Sequence, residues 1–82
     1  MISAAQIRAA RALVGMTQEQ LAVATGLSGQ TIKRMESLGT GRSSAANVDA
    51  IQLALEAAGV QFIPENGGGA GVRLAKPKGA AE

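Results

Sequence analysis

Between Ser3 and Gly39 the chain is punctuated three times in the same way: a hydroxyl-bearing residue opens a stretch of helix formers, and a glycine closes it. The openers are Ser3, Thr17 and Ser28; the closers are Gly15, Gly26 and Gly39. A Ser or Thr side chain accepts a hydrogen bond from one of the first backbone N–H groups of a helix, which have no partner inside it. Ser3-Ala4-Ala5-Gln6 and Thr17-Gln18-Glu19-Gln20 add the glutamine that reaches back to the N–H of the cap residue. Glycine takes the positive φ at which a helix stops. The pattern predicts three short helices on tight turns.

The apolar spacing agrees. Ile7, Ala10, Arg11 and Val14 lie on one stripe of the first helix, Leu21 and Ala22 on the second, and Ile32, Met35 and Glu36 on the third. Residues 39 to 44, Gly-Thr-Gly-Arg-Ser-Ser, read as a loop. A fourth helix follows with Val48, Ile51, Leu55 and Ala58 inward, and Gly59 ends it. The texture then changes. Val60-Gln61-Phe62-Ile63-Pro64 is β-prone, Glu65 to Gly71 is turn material, and Val72-Arg73-Leu74 alternates again. These residues predict a hairpin with Pro64 at an edge or a strand end. The expected organisation is a helical domain over 1–59, a hairpin over 60–74 and a disordered tail over 75–82.

Composition limits what such a domain does. Apolar residues make up 46% of the chain, but 17 of them are alanine, which buries little area. With one Phe and no Trp or Tyr, there is no stacking platform for single-stranded bases. The core is thin, so added burial against a second subunit is expected. The absence of Cys and His excludes disulfides, thiolate chemistry and the commonest zinc sites. No acidic pair is clustered for acid–base work, so the reading is of a non-enzyme without cofactor or metal. No apolar run reaches membrane length and the first residues lack a basic signal start, so a cytoplasmic location is expected.

Charge is unevenly placed. Residues 1–48 carry Arg8, Arg11, Lys33, Arg34 and Arg42 against Glu19 and Glu36, a net +3. Residues 49–66 carry Asp49, Glu56 and Glu65 with no base, a net −3. The positive half is the half with the two helices joined at Gly26. Such a pair lets one helix cross a DNA backbone while the next enters the major groove, which is about 12 Å wide and admits one helix. In the third helix Ile32 and Met35 face inward, leaving Ser28, Gly29, Gln30, Thr31, Lys33 and Arg34 on the other side. Gln30 offers a paired donor and acceptor to adenine, and Lys33 a donor to guanine or phosphate.

The spaced set Ile7-x3-Arg11-x3-Gly15-x-Thr17-Gln18-x2-Leu21-Ala22-x3-Gly26-x5-Ile32-x3-Glu36 resembles the phage repressor/Cro-type, or XRE, helix-turn-helix family. The likeness covers roughly residues 5 to 58. It implies a mainly α, compact four-helix, lambda-repressor-like domain, here with a C-terminal hairpin added. It further implies sequence-specific binding of double-stranded DNA by a homodimer on a near-palindromic operator, as a repressor-like transcriptional regulator. Positions matching the base-reading surface are Ser28, Gly29, Gln30 and Lys33. Those placed at phosphates are Gln18, Thr31, Arg34 and Arg42. Arg11 and Glu36 match an internal ion pair tying the first helix to the third. Gly29 departs from the family in bringing no side chain to a position that often reads a base.

The hairpin is open to three readings, the plainest of which makes Val60 to Ile63 merely a lid on the thin core. Its apolar residues Val60, Phe62, Ile63, Val72 and Leu74 are expected to dimerise the chain across a two-fold axis. The alternative is an antitoxin or other interaction module whose hairpin binds a protein partner. The Gly67-Gly68-Gly69 run has no P-loop lysine and is read as a turn.

Overall fold

The computed structural model describes residues 1–75. Among them the elements run α1 (Ala4–Val14), α2 (Gln18–Thr25), α3 (Gly29–Leu38), α4 (Ala45–Ala57), β1 (Val60–Ile63) and β2 (Gly71–Leu74). The helix starts follow the predicted chemistry. Ser3 Oγ accepts from the Gln6 N–H at 3.1 Å while Gln6 Oε1 accepts from the Ser3 N–H at 2.9 Å. Thr17 and Gln20 make the same reciprocal pair at 3.0 and 2.9 Å. Ser28 caps α3 through the Thr31 N–H, and Ser44 caps α4 through the Asn47 N–H. Gly15 at φ 66° and Gly26 at φ 75° turn the chain left-handed where α1 and α2 stop.

The four helices close around Ile7, Leu21, Ile32, Met35, Val48, Ile51 and Leu55, all fully enclosed. Burying a side chain of this size contributes about 1.5–3 kcal/mol, so these few residues carry most of the stabilisation in an alanine-rich chain. Ala58 departs from expectation. The helix ends at Ala57, Ala58 is its exposed cap, and Val60 takes the next core position at 3% exposure.

β1 and β2 pair antiparallel in the register Val60–Leu74, Gln61–Arg73, Phe62–Val72 and Ile63–Gly71. One face of this ribbon packs on the helices, with Phe62 and Val72 half-buried against the core. On the other, Arg73 Nε donates to Gln61 Oε1 at 2.8 Å. Pro64 directly follows the last residue of β1, where its missing N–H costs no ladder bond. In the connecting loop the Glu65 carboxylate accepts from the N–H groups of Gly67 and Gly69 at 3.1 and 3.0 Å.

Two buried polar side chains anchor the periphery. Gln6 Nε2 donates to the carbonyls of Gly71 at 3.0 Å and Ile63 at 3.3 Å, fixing the loop end of the ribbon to α1. The Thr40 hydroxyl donates to the Ile2 carbonyl at 2.8 Å, holding the α3–α4 loop against the first residues. Ala75 donates its N–H to the Gly59 carbonyl at 2.7 Å, so it belongs with the ribbon rather than with a tail. The remaining tail expectation, 76–82, lies outside the described residues. No helix among the described residues is long and apolar enough to cross a membrane.

Candidate nucleic-acid interface

The three residues Gly26, Leu27 and Ser28 around the α2–α3 turn are held by a contact that sequence reading missed. Thr25 Oγ1 donates to the Leu21 carbonyl at 2.9 Å and accepts from the Leu27 N–H at 3.3 Å. Leu27 packs partly buried on the core, so the turn is fixed from both sides. α3 therefore leaves it in one direction.

α3 has two distinct sides. Ile32, Met35 and Glu36 are buried, whereas Ser28, Gln30, Lys33 and Arg34 are exposed. Gly29 and Thr31 are half-buried at its start. The Thr31 hydroxyl lies 2.9 Å from Ser28 Oγ, so the two hydroxyls share one hydrogen bond and present one polar spot. Thr31 and Arg34 also line a shallow concavity of about 330 Å³ with Arg42, Ser44 and Asn47. It opens at the start of α4, where free N–H groups and the positive helix end favour an anion. Three of the four residues assigned to phosphates thus share one concave surface.

The fourth, Gln18, lies elsewhere. It is the first residue of α2, half-exposed, and its Nε2 donates to Glu36 Oε1 at 3.0 Å. Glu36 is the hub of this region. Arg11 meets it as a fork, with Nε 2.7 Å from Oε2 and Nη2 2.7 Å from Oε1, and Arg11 Nη1 donates to the Met16 carbonyl at 3.0 Å. Arg8 donates to the Glu36 backbone carbonyl. Burial by itself would raise the Glu36 pKa. Hydrogen bonds from Arg11 and Gln18, with the charges of Arg11 and Arg8, outweigh it and hold the carboxyl below its ordinary value. The hydrogen bond to Glu36 raises the Arg11 pKa in turn, against a smaller opposing effect of burial.

The surface built this way has the elements a duplex reader needs: a helix exposed along its polar side, a fixed turn before it, and a basic concavity beside it. A sequence model of the helix-turn-helix family matches residues 7–61, from early α1 to the second residue of β1. The chain belongs to that family. As an XRE-type helix-turn-helix protein it is a DNA-binding transcription regulator. No match was found among curated proteins. The family match stops at Gln61, so most of the ribbon is an addition to the helix-turn-helix core.

The structure places the ribbon's apolar residues unequally. Val60 is buried in its own chain, and Phe62 and Val72 pack against the same helix-turn-helix core. Leu74 is 54% exposed and Ile63 half-buried, which leaves these two with surface for a partner.

Proposed function

We propose that the chain is a repressor-like regulator that binds a near-palindromic operator as a homodimer, with α3 in the major groove. The observation carrying this reading is the division of α3 into a buried side and an exposed polar side flanked by the Thr31–Arg34–Arg42 concavity. Gln30 and Lys33 read base edges, with Ser28 at the rim and Gly29 allowing close approach. Arg34, Arg42 and Thr31 hold phosphates on one side, and Gln18 holds one at the start of α2. Occupancy of the operator then excludes other proteins from it.

Dimerisation is assigned to the outer edge of the ribbon. The bond from the Ala75 N–H to the Gly59 carbonyl sets the alternation of the antiparallel ladder, so the backbone groups of Val72 and Leu74 point away from β1. That edge and the exposed Leu74 side chain suit pairing with a second copy about a two-fold axis. Selection of bound fragments from random duplexes tests the whole reading. The expected result is an inverted repeat with half-sites about one turn, roughly 34 Å, apart. Enrichment of a single unrepeated site would remove the dimer, and no enrichment at all would remove specific readout.

A further inference from the structure

The assignment of Gln18 to a phosphate leaves open what holds its flexible side chain in place, and the geometry points to Glu36 as the positioning residue for that contact. This deepens the DNA-binding reading and rests on it. Gln18 stands at the first position of α2, where the Thr17 side chain engages the Gln20 N–H and leaves the amides of Gln18 and Glu19 facing out. A phosphate oxygen arriving there accepts hydrogen bonds and donates none. A free glutamine amide presents either its oxygen or its nitrogen, and the oxygen repels phosphate.

Glu36 removes that ambiguity. Its ionised carboxylate only accepts, so it captures the nitrogen end of the Gln18 amide, Nε2 to Oε1 at 3.0 Å. One Nε2 hydrogen is engaged and the second stays available. Glu36 is itself held by the Arg11 fork and is only 5% exposed, so the anchor does not move. The cations of Arg11 and Arg8 offset its negative charge, which would otherwise oppose a phosphate nearby. The same ion pair that ties α1 to α3 thus orients a donor on α2.

The test is a double-mutant cycle on affinity for a mixed-sequence 24-base-pair duplex, since a phosphate contact acts on every sequence. Wild type, Gln18→Ala, Glu36→Gln and the double variant are compared at a temperature where circular dichroism shows all four folded. Gln18→Ala is expected to weaken binding about tenfold with an unchanged salt slope, because an uncharged donor releases no counterion. Glu36→Gln removes a charge that opposes phosphate in both backgrounds, but its amide also offers donors and lets the Gln18 amide turn over. Binding with Gln18 present is therefore expected to be several-fold weaker relative to the effect of Glu36→Gln without it. An equal change in both backgrounds makes Glu36 merely structural and overturns the proposal. No loss from Gln18→Ala overturns the phosphate assignment and the proposal with it, whereas no binding by wild type overturns the DNA reading itself. If Glu36→Gln does not fold, side-chain amide NMR of the wild type decides. One Gln18 Nε2 proton shifting on duplex addition while the other stays protected supports the proposal; two protons shifting together overturn it.

Discussion

The side-chain amide of Gln6 donates to the carbonyl of Gly71, 3.0 Å away and 65 residues further along the chain. A residue whose oxygen caps α1 therefore also fastens the far strand of the ribbon with its nitrogen. Gln6→Ala removes one arm of the capping box and the side-chain donor to the Ile63 and Gly71 carbonyls. It should cost about 1–3 kcal/mol in denaturant unfolding. Hydrogen exchange should localise the loss, speeding the amides around Gly71 more than those of α3. Uniform acceleration would show that the ribbon is not held through this residue.

Arg11 and Glu36 form the one ion pair among the described residues. Arg11→Met leaves a buried carboxylate with Gln18 alone as side-chain partner, and a loss of about 3 kcal/mol or more is expected in thermal or urea unfolding. A change below 1 kcal/mol would show that the pair is ornamental.

Acidity should report on the same group. The Glu36 carboxyl is held below its ordinary pKa in the folded state, so between the folded and unfolded values the unfolded chain binds more protons. Its stabilisation is complete above the ordinary glutamate range, about pH 4.3, and is lost as pH falls through the lower folded value. Melting temperatures measured from neutral to strongly acidic pH should fall in that window for the wild type. The Glu36-dependent part of that slope should be missing in Glu36→Gln.

Base reading and phosphate holding separate by their salt and sequence dependence. Gln30→Ala should cost about 1–3 kcal/mol on the selected site and relax the preference at one position. Arg42→Ala should weaken all duplexes alike and lower the salt slope by about one. A uniform loss from Gln30→Ala would make it a backbone contact.

Gly29 lies in α3 with no neighbour within 4 Å of an added Cβ and a φ outside the left-handed range. Gly29→Ala should therefore stabilise the fold by about 0.4–1 kcal/mol. Lower DNA affinity in a more stable protein would mean that the helix start approaches the duplex closely. Unchanged affinity would mean that it stands off.

Leu74 is exposed in the single chain, so Leu74→Asp should leave the packing of the monomer itself undisturbed. If the ribbon edge joins two copies, sedimentation should show the variant as a monomer with weakened operator binding. A monomeric wild type would end that assignment. Deleting the ribbon is a poorer test, because Val60 belongs to the core and Gln6 would lose its partners.

The four helices and the ribbon were legible because their signals are local. Ser3, Thr17 and Ser28 cap within three residues, and Gly15 and Gly26 act at their own φ. Arg11 and Glu36 were marked by charged side chains standing on apolar stripes. The bonds of Gln6 to the ribbon, Thr40 to Ile2 and Gln18 to Glu36 join residues far apart in sequence, and the distances between them exist only once the helices have packed. The inward turn of Val60, Phe62 and Val72 stayed undecided between a lid on the core and a dimer edge for a related reason. Alternation gives a strand two faces without saying which one meets the helices.

Val60 comes just after α4 ends at Ala57 and sits in the same hydrophobic cluster as Ile32 and Met35 of α3. The strand and α3 therefore share one core. Heat or denaturant should consequently melt both in a single transition, and any molecule that grips the ribbon is coupled to α3.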